Sequence, residues 1–328
     1  MLRALETALA TLGRIGTQGF VAAVVLGLLL PGLASAFRPL LPVVLFGFLA
    51  LVFARSELEP IVGRLRRPLP LVGACIWLIV APLALVMVTS ALIGHDRIDP
   101  GLMLGLAVMA AAPPIISSPA IAILYGFEPA LIIAAVVITT ALTPFIAPHA
   151  AAWLAGTAVP LDASVLTLRL VGLIGGGIVT GLVVRAIAGH RRIVAVRTTL
   201  DGVVVLLFAV FATAAMDGVS RAAFERPVTV VAYLALAFAL SLAGFIMTAP
   251  ALRFLKPSDR FMLGYGTGQR NMGLLIAAMG AGTPDNTYLF FALAQIPIFV
   301  MPQLLQPIAR RLRRDEEAAP IVSPPPGC

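Results

Sequence analysis

The chain has 328 residues, of which 60% are hydrophobic and only 12% are charged, and it contains 29 glycines and 26 prolines. Soluble domains carry about 25% charged residues, and disordered chains are poor in apolar ones, so both classes are excluded. The net charge of +8 comes almost entirely from arginines that stand singly or in short clusters between long apolar runs. That pattern is typical of membrane topology signals and not of a nucleic-acid surface. Composition therefore predicts a multi-pass protein of the lipid bilayer with no nucleic-acid partner.

Ten apolar stretches are predicted to cross the membrane as helices, because about 20 mostly apolar residues span the hydrocarbon core. They lie near 18–36, 39–54, 69–93, 102–126, 130–156, 165–188, 200–219, 227–252, 261–282 and 286–309. The second is short, and we place the turn before it between Ser35 and Pro42. The N-terminal segment also has an alternative interpretation as a cleavable secretion signal, since small residues around Ser35 follow its apolar run.

The basic residues alternate between the predicted loops. If both termini are cytoplasmic, seventeen of the 23 basic residues face the cytoplasm and four face the outside, which fits the rule that cytoplasmic loops are positive. Two remain, Arg169 and Arg270, and both fall within predicted spans. We therefore expect an even number of spans in the cell's inner (cytoplasmic) membrane, with both termini inside. The segment 315–328 has nothing to bury and is predicted to be a disordered cytoplasmic tail.

The predicted spans divide into two halves that have matching interruptions. Residues 1–160 hold spans one to five, and residues 161–314 hold spans six to ten. Because five is odd, the second half enters the bilayer from the opposite side, which makes the halves inverted repeats, an arrangement typical of secondary transporters. Span four is interrupted by APPIISSP, residues 112–119, and span nine by GTGQRNMG, residues 266–273.

The interruptions predict two broken helices that cross near the middle of the membrane. Prolines 113, 114 and 119 each remove a backbone donor, and the glycines of the second stretch allow the chain to unwind. Unwound backbone at this depth is tolerated where it lines a wet cavity. The positive N-terminal end of each second half-helix would then face that cavity and form a site for a carboxylate.

Arg270 is the charge that most needs an explanation, since an arginine at the centre of a membrane helix costs roughly 2.5–3.5 kcal/mol. Three explanations stay open: it contacts an anionic substrate, it replaces a bound metal ion, or it pairs with Glu128 or helix-end carbonyls. The candidate substrate-binding residues are Ser117, Ser118, Pro119, Thr267, Gln269, Arg270 and Asn271. The sequence shows no catalytic triad and no cluster of metal-binding side chains, so we expect neither an enzyme nor a resident cofactor.

Three stretches resemble the bile acid:sodium symporter family: FGFLALVFARSELEP at 46–60, APPIISSP at 112–119 and GTGQRNMGLLIAA at 266–278. The resemblance implies ten helices, a core domain and a panel domain, and transport of organic anions at the crossing of two broken helices. It matches Asn271 to the family's span-nine asparagine and Ser118 to a serine that holds sodium, which makes Ser118 a weak sodium ligand here.

Three other positions depart from the family pattern. Pro119 stands where the family has an asparagine, Gly266 where sodium-coupled members have a glutamate, and Arg270 where they have a glutamine. Losing an anionic ligand and gaining a cation beside it argues against two bound sodium ions.

We therefore expect a secondary transporter of small organic anions that works by alternating access, with Arg270 as a fixed positive charge. Coupling to Na⁺, coupling to H⁺ and facilitated diffusion stay open. The alternatives are a channel or facilitative pore for organic anions, and a sodium-coupled symporter of the bile-acid type. We expect no obligate protein partner.

Overall fold

Long apolar helices make up most of the protein. The computed structural model describes residues 22–55, 63, 68–156 and 161–318. Seven helices in these ranges are long and apolar enough to cross a membrane. Regular structure in the same ranges is helical, apart from one isolated antiparallel bridge between Pro114 and Arg270. The chain is therefore an all-α protein of the multi-pass membrane class, as its composition predicts.

The helices are numbered here in chain order. They are α1 (residues 22–29), α2 (Pro31–Arg55), α3 (Pro68–Ile93), α4 (Pro100–Ala111), α5 (Ser118–Tyr125), α6 (Ala130–Ala155), α7 (Ala163–Ala188), α8 (His190–Ala195), α9 (Arg197–Ala215), α10 (Val219–Glu225), α11 (Pro227–Ala251), α12 (Pro257–Gly268), α13 (Met272–Met279) and α14 (Asp285–Ala318). The seven candidate spans are α2, α3, α6, α7, α9 with α10, α11 and α14. Four of them, α3, α6, α7 and α11, begin and end within two residues of the predicted positions.

The predicted turn between the first two spans is wrong. Residues 31–55 form one helical segment with a single 3₁₀ turn at Arg38–Leu40, and the helix is broken earlier, at Leu30. Proline explains both features, because it starts a helix well and disfavours helical backbone in the residue before it. Pro31 therefore separates α1 from α2, whereas Pro39 lies in the first positions of the 3₁₀ turn, where no donor is needed.

The predicted disordered tail begins too early. Helix α14 continues to Ala318, four residues into that segment, and residues 319–328 lie outside the described ranges. Two interactions hold this last turn: Glu317 accepts a hydrogen bond from Arg313 at 2.7 Å, and Glu316 accepts the backbone N–H of Ser258 at 2.9 Å. Glu316 thus satisfies one backbone N–H in the first turn of α12, which the sequence alone did not suggest.

Small residues set the packing of α2 against α7. Gly177 and Gly181 stand four residues apart on α7, and a Cβ on Gly181 would approach the Ala50 carbonyl oxygen and the Phe53 side chain of α2. Such small-residue pairs let two helix backbones approach closely in a membrane. Helix α9 packs beside α2 as well, with Phe48 and Phe208 in an edge-to-face contact. Helices α2 and α9 form one wall of the cavity described below, and α7 packs against α2 without lining it.

The opposite side is built from α3, α4, α6, α11, α12 and α14, which pack on one another. Its closest contact joins α11 to α12, where Gly244 lies against the backbone of Gly268. Two half-length helix pairs run through this group. Helices α4 and α12 have 12 residues each, and α5 and α13 have eight each, so none of the four is long enough to cross a bilayer alone.

Candidate functional site

The two helix breaks lie against each other and are joined by backbone hydrogen bonds. The Ile115 N–H donates to the Gln269 carbonyl at 2.9 Å, and the Asn271 N–H donates to the Pro113 carbonyl at 2.8 Å. These bonds satisfy polar groups that would otherwise be orphaned in an apolar interior. The extended stretches 112–117 and 269–271 therefore form a fixed crossing, which joins the end of α4 and start of α5 to the end of α12 and start of α13.

Local chemistry explains why each helix stops at the crossing. Ala112 precedes two prolines and takes an extended conformation with ψ of 151°, as a residue before proline prefers. Pro119 then lies in the first turn of α5, where its missing N–H costs nothing. At the other break Gly268 touches the Ser241 carbonyl of α11, and a side chain at this position would collide with that backbone. Glycine is needed here for close approach.

A cavity of about 400 Å³ ends at the crossing. Apolar side chains of α2, α9 and α14 form most of its wall, including Phe48, Phe208 and Phe299. Its polar lining consists of Arg55, Ser117, Arg270, Asn271 and Gln295. Ser117, Arg270 and Asn271 belong to the crossing, so the space has an apolar body and a polar end that carries one arginine, which suits a ligand of the same two-part character.

Arg270 is buried, with 3% of its surface exposed. Its Nη1 donates to the Gly266 carbonyl at 3.2 Å, and its Nη2 donates to the Ala112 carbonyl across the crossing. Nε is buried and has no hydrogen-bond partner in the described part of the protein. Among the described residues no salt bridge joins Arg270 to a carboxylate, so of the third explanation the helix-end carbonyls, and not Glu128, are the partners that the structure shows.

Four helix ends meet at the crossing. The carbonyl ends of α4 and α12 supply Ala112 and Gly266, whereas the N-terminal ends of α5 and α13 begin beside Ser117 and Asn271, which line the cavity. Each helix end carries a partial charge of about half an elementary charge, positive at the N-terminus and negative at the C-terminus. Neither α5 nor α13 has a side-chain cap at its N-terminus from any described residue.

The sequence-predicted site residues separate into two groups. Ser117, Arg270 and Asn271 line the cavity. The other four, Ser118, Pro119, Thr267 and Gln269, are not part of its lining. The Ser118 hydroxyl is fully buried and donates to Ile115 at 2.8 Å, and Thr267 donates to Leu263 at 2.8 Å. The Gln269 side chain donates to Ser241 on α11, behind the crossing.

Sequence reasoning missed two residues that matter to the site. In the sequence Arg55 is one of the basic residues that indicate topology, but in the structure it lines the cavity and donates to Asp201 of α9 at 2.6 Å. Ser241 lies within an uninterrupted apolar run, and nothing in that run marks it as the partner of Gln269. The sequence signal for the pairing of Arg55 with Asp201 was their position, since Arg55 ends one predicted span and Asp201 begins another.

Two much smaller cavities also touch Arg270. One of about 20 Å³ lies among Ala112, Pro113, Thr139 and Thr143, and one of about 10 Å³ lies beside Ser241 and Gln269. These are the size of single water molecules. No group of three or more His, Cys, Asp or Glu residues within the described ranges could hold a metal ion.

No model of a protein family matches the chain, and no curated protein sequence matches it either.

Proposed function

We propose that this protein is a secondary transporter of small organic anions that works by alternating access. The observation that carries the proposal is the polar end of the 400 Å³ cavity, where a buried arginine and two uncapped helix N-termini meet. Fixed positive charge and free N–H groups at a helix start favour a carboxylate or another small anion.

The apolar wall narrows the substrate class to anions with an apolar body. Phe48, Phe208 and Phe211 line the space together with aliphatic side chains of α2 and α14. Burying apolar ligand surface there contributes about 25 cal/mol per Å². A carboxylate with an aromatic or aliphatic body would thus gain from the wall and from Arg270, whereas a small polar dianion would leave the wall unfilled.

The proposed layout has ten spans in two inverted repeats, with α4 and α5 together as span four and α12 and α13 together as span nine. The spacing of the elements supports it. Pro257 follows Pro100 by 157 residues, Met272 follows Ser118 by 154, and Asp285 follows Ala130 by 155. The paired short helices also have equal lengths, 12 and 12 residues and then eight and eight. With the break at Leu30, span one ends there instead of at residue 36, and its part before residue 22 lies outside the described residues.

A carrier fits this arrangement better than a pore. A wide cavity reaches the crossing from the side of Arg55. The other cavities that touch Arg270 have volumes of about 20 and 10 Å³, which is too little for a substrate that fits the wide cavity. On the far side Tyr288 donates to the Ala214 carbonyl at 2.8 Å, and Arg38 lies 4.0 Å from the centre of its ring. We propose that the cavity faces the cytoplasm of the inner membrane and that the Tyr288 side is the closed outer face.

The experiment that tests this proposal is uptake by proteoliposomes that contain the purified full chain. Radiolabelled benzoate, hexanoate and cholate would be offered with and without a sodium gradient and with and without a proton gradient. A carrier gives saturable uptake that unlabelled substrate competes, and Arg270→Gln should reduce it at least tenfold. Uptake that rises linearly with concentration, or none above empty liposomes for any of the three anions, would overturn the proposal.

A further inference from the structure

The negative half of the crossing already holds a cation. The carbonyl oxygens of Ala112 and Gly266 belong to the C-terminal ends of α4 and α12, and both accept hydrogen bonds from Arg270. Two such helix ends together carry roughly one negative charge, about half from each. The guanidinium supplies one positive charge at the same point, so the pair of ends is neutralised within the protein.

Carbonyls at the ends of broken helices are the groups with which transporters bind a coupling sodium ion. Here the same kind of oxygen cluster faces the arginine. Thr139 and Thr143 line the small cavity beside Ala112, and each hydroxyl donates to a carbonyl of its own helix, which leaves its lone pairs available. The cluster is suited to a cation, and the side chain of Arg270 occupies it.

We infer that Arg270 is a tethered cation that takes the place of a coupling sodium ion, and that shortening this side chain would open a sodium site at Ala112 and Gly266. The part that concerns coupling rests on the proposed function, whereas the cation site itself does not. It follows that the unmodified chain does not bind sodium at the crossing. The charge that would otherwise arrive and leave with an ion stays in the protein through the cycle.

The chain contains a matched control for this idea. Arg169 also donates from one guanidinium nitrogen to two carbonyls at a helix end, Ala278 and Met279 of α13, each at 3.1 Å. Arg169 is exposed, however, whereas Arg270 is buried. In Arg169→Ala, water can solvate the carbonyls that lose their hydrogen bonds. In Arg270→Ala, the carbonyls that lose theirs face only the buried space that the missing side chain leaves.

The test measures the melting temperature of the purified full chain in detergent, at one ionic strength, in choline, potassium, sodium or guanidinium chloride at about 100 mM. Arg270→Ala should melt lower than the unmodified chain in choline and should gain about 3–6 °C, saturably, in sodium or guanidinium. The unmodified chain and Arg169→Ala should melt alike in choline and sodium. Equal melting of Arg270→Ala in choline, sodium and guanidinium would overturn the inference.

The unmodified chain gives a second readout if Arg270→Ala does not fold. Saturable stabilisation of the unmodified chain by sodium, or carboxylate uptake that needs a sodium gradient, would contradict the inference while leaving the proposed transport intact. Sodium-independent uptake supports the inference. Absence of uptake of every carboxylate would count against the proposed function alone, because the melting experiment does not depend on transport.

Discussion

Two glycines of α12 offer a direct test of how the crossing is built. A Cβ on Gly268 would collide with the Ser241 carbonyl oxygen and lie 3.1 Å from the Ser241 carbonyl carbon, so the backbone of α11 or α12 would have to move. A Cβ on Gly266 would lie 3.4 Å from atoms of Leu78, Ile132 and Pro114, which are ordinary contacts. Gly268→Ala and Gly266→Ala therefore add the same methyl group two residues apart, with opposite expected results.

The expected change in the free energy of unfolding of each variant follows from two contributions. In a helix, alanine is more favourable than glycine by about 0.5–1 kcal/mol, so Gly266→Ala should be neutral or slightly stabilising. Overpacking costs about 1–3 kcal/mol when neighbouring side chains must adjust. Because the obstacle at Gly268 is backbone, we expect Gly268→Ala to lie at the upper end of that range. The difference of about 2–4 kcal/mol corresponds to a gap in melting temperature of roughly 5–10 °C.

The assay is thermal unfolding of both purified variants in the same detergent at one heating rate, followed by size-exclusion chromatography of what stays folded. Gly268→Ala should melt below the unmodified chain, and Gly266→Ala should melt at or above it. Equal melting temperatures, or Gly266→Ala as the weaker variant, would refute the close approach of α11 to α12. Uptake should follow the same order, because Gln269 beside Gly268 accepts the hydrogen bond from Ile115.

Three further predictions concern the cavity and its closed side. Asn271→Asp places a negative charge where the anion binds and should raise the KM for benzoate uptake at least tenfold, whereas Asn271→Ser should change it far less; equal effects would contradict an anion site. Phe208→Ala enlarges the cavity and should raise the ratio of cholate to benzoate uptake, and an unchanged ratio would show that this wall does not select the substrate. Tyr288→Phe removes a hydrogen bond to Ala214 worth about 0.5–1.5 kcal/mol, so a thiol reagent added from the outside should label Leu289→Cys about two- to tenfold faster in that background. Unchanged labelling would mean that this bond does not hold the outer face shut.

The sequence indicated where the two helices break because breaking is a local property. Two consecutive prolines, Pro113 and Pro114, strongly disfavour continuation of α4, whereas single prolines such as Pro82 lie within long helices of this chain. Arg270 was recognisable as an unusual buried charge for the same reason, since its position within an apolar run needs no partner to be noticed.

The partners of these residues could not be predicted, because backbone carbonyls leave no mark in a sequence. Arg270 contacts Ala112, 158 positions away, through an oxygen that every residue carries. Ser241 and Gln269 meet only because Gly244 and Gly268 allow α11 and α12 to approach. For the same reason the amide of Gln269 was expected in the substrate site but points behind it. Contacts of this kind are set by tertiary packing and not by local pattern.

Equilibrium binding of a charged probe and its neutral twin tests the central claim most directly. The claim is that the polar end of the cavity recognises negative charge through Arg270 and the two helix N-termini. Naphthalene-2-carboxylate and naphthalene-2-carboxamide have nearly the same apolar body and differ by one charge, and the fluorescence of either can be followed during titration of the purified chain. The carboxylate should bind at least tenfold more tightly than the amide, and Arg270→Gln should remove that preference. Equal binding of the two probes to the unmodified chain would contradict the claim.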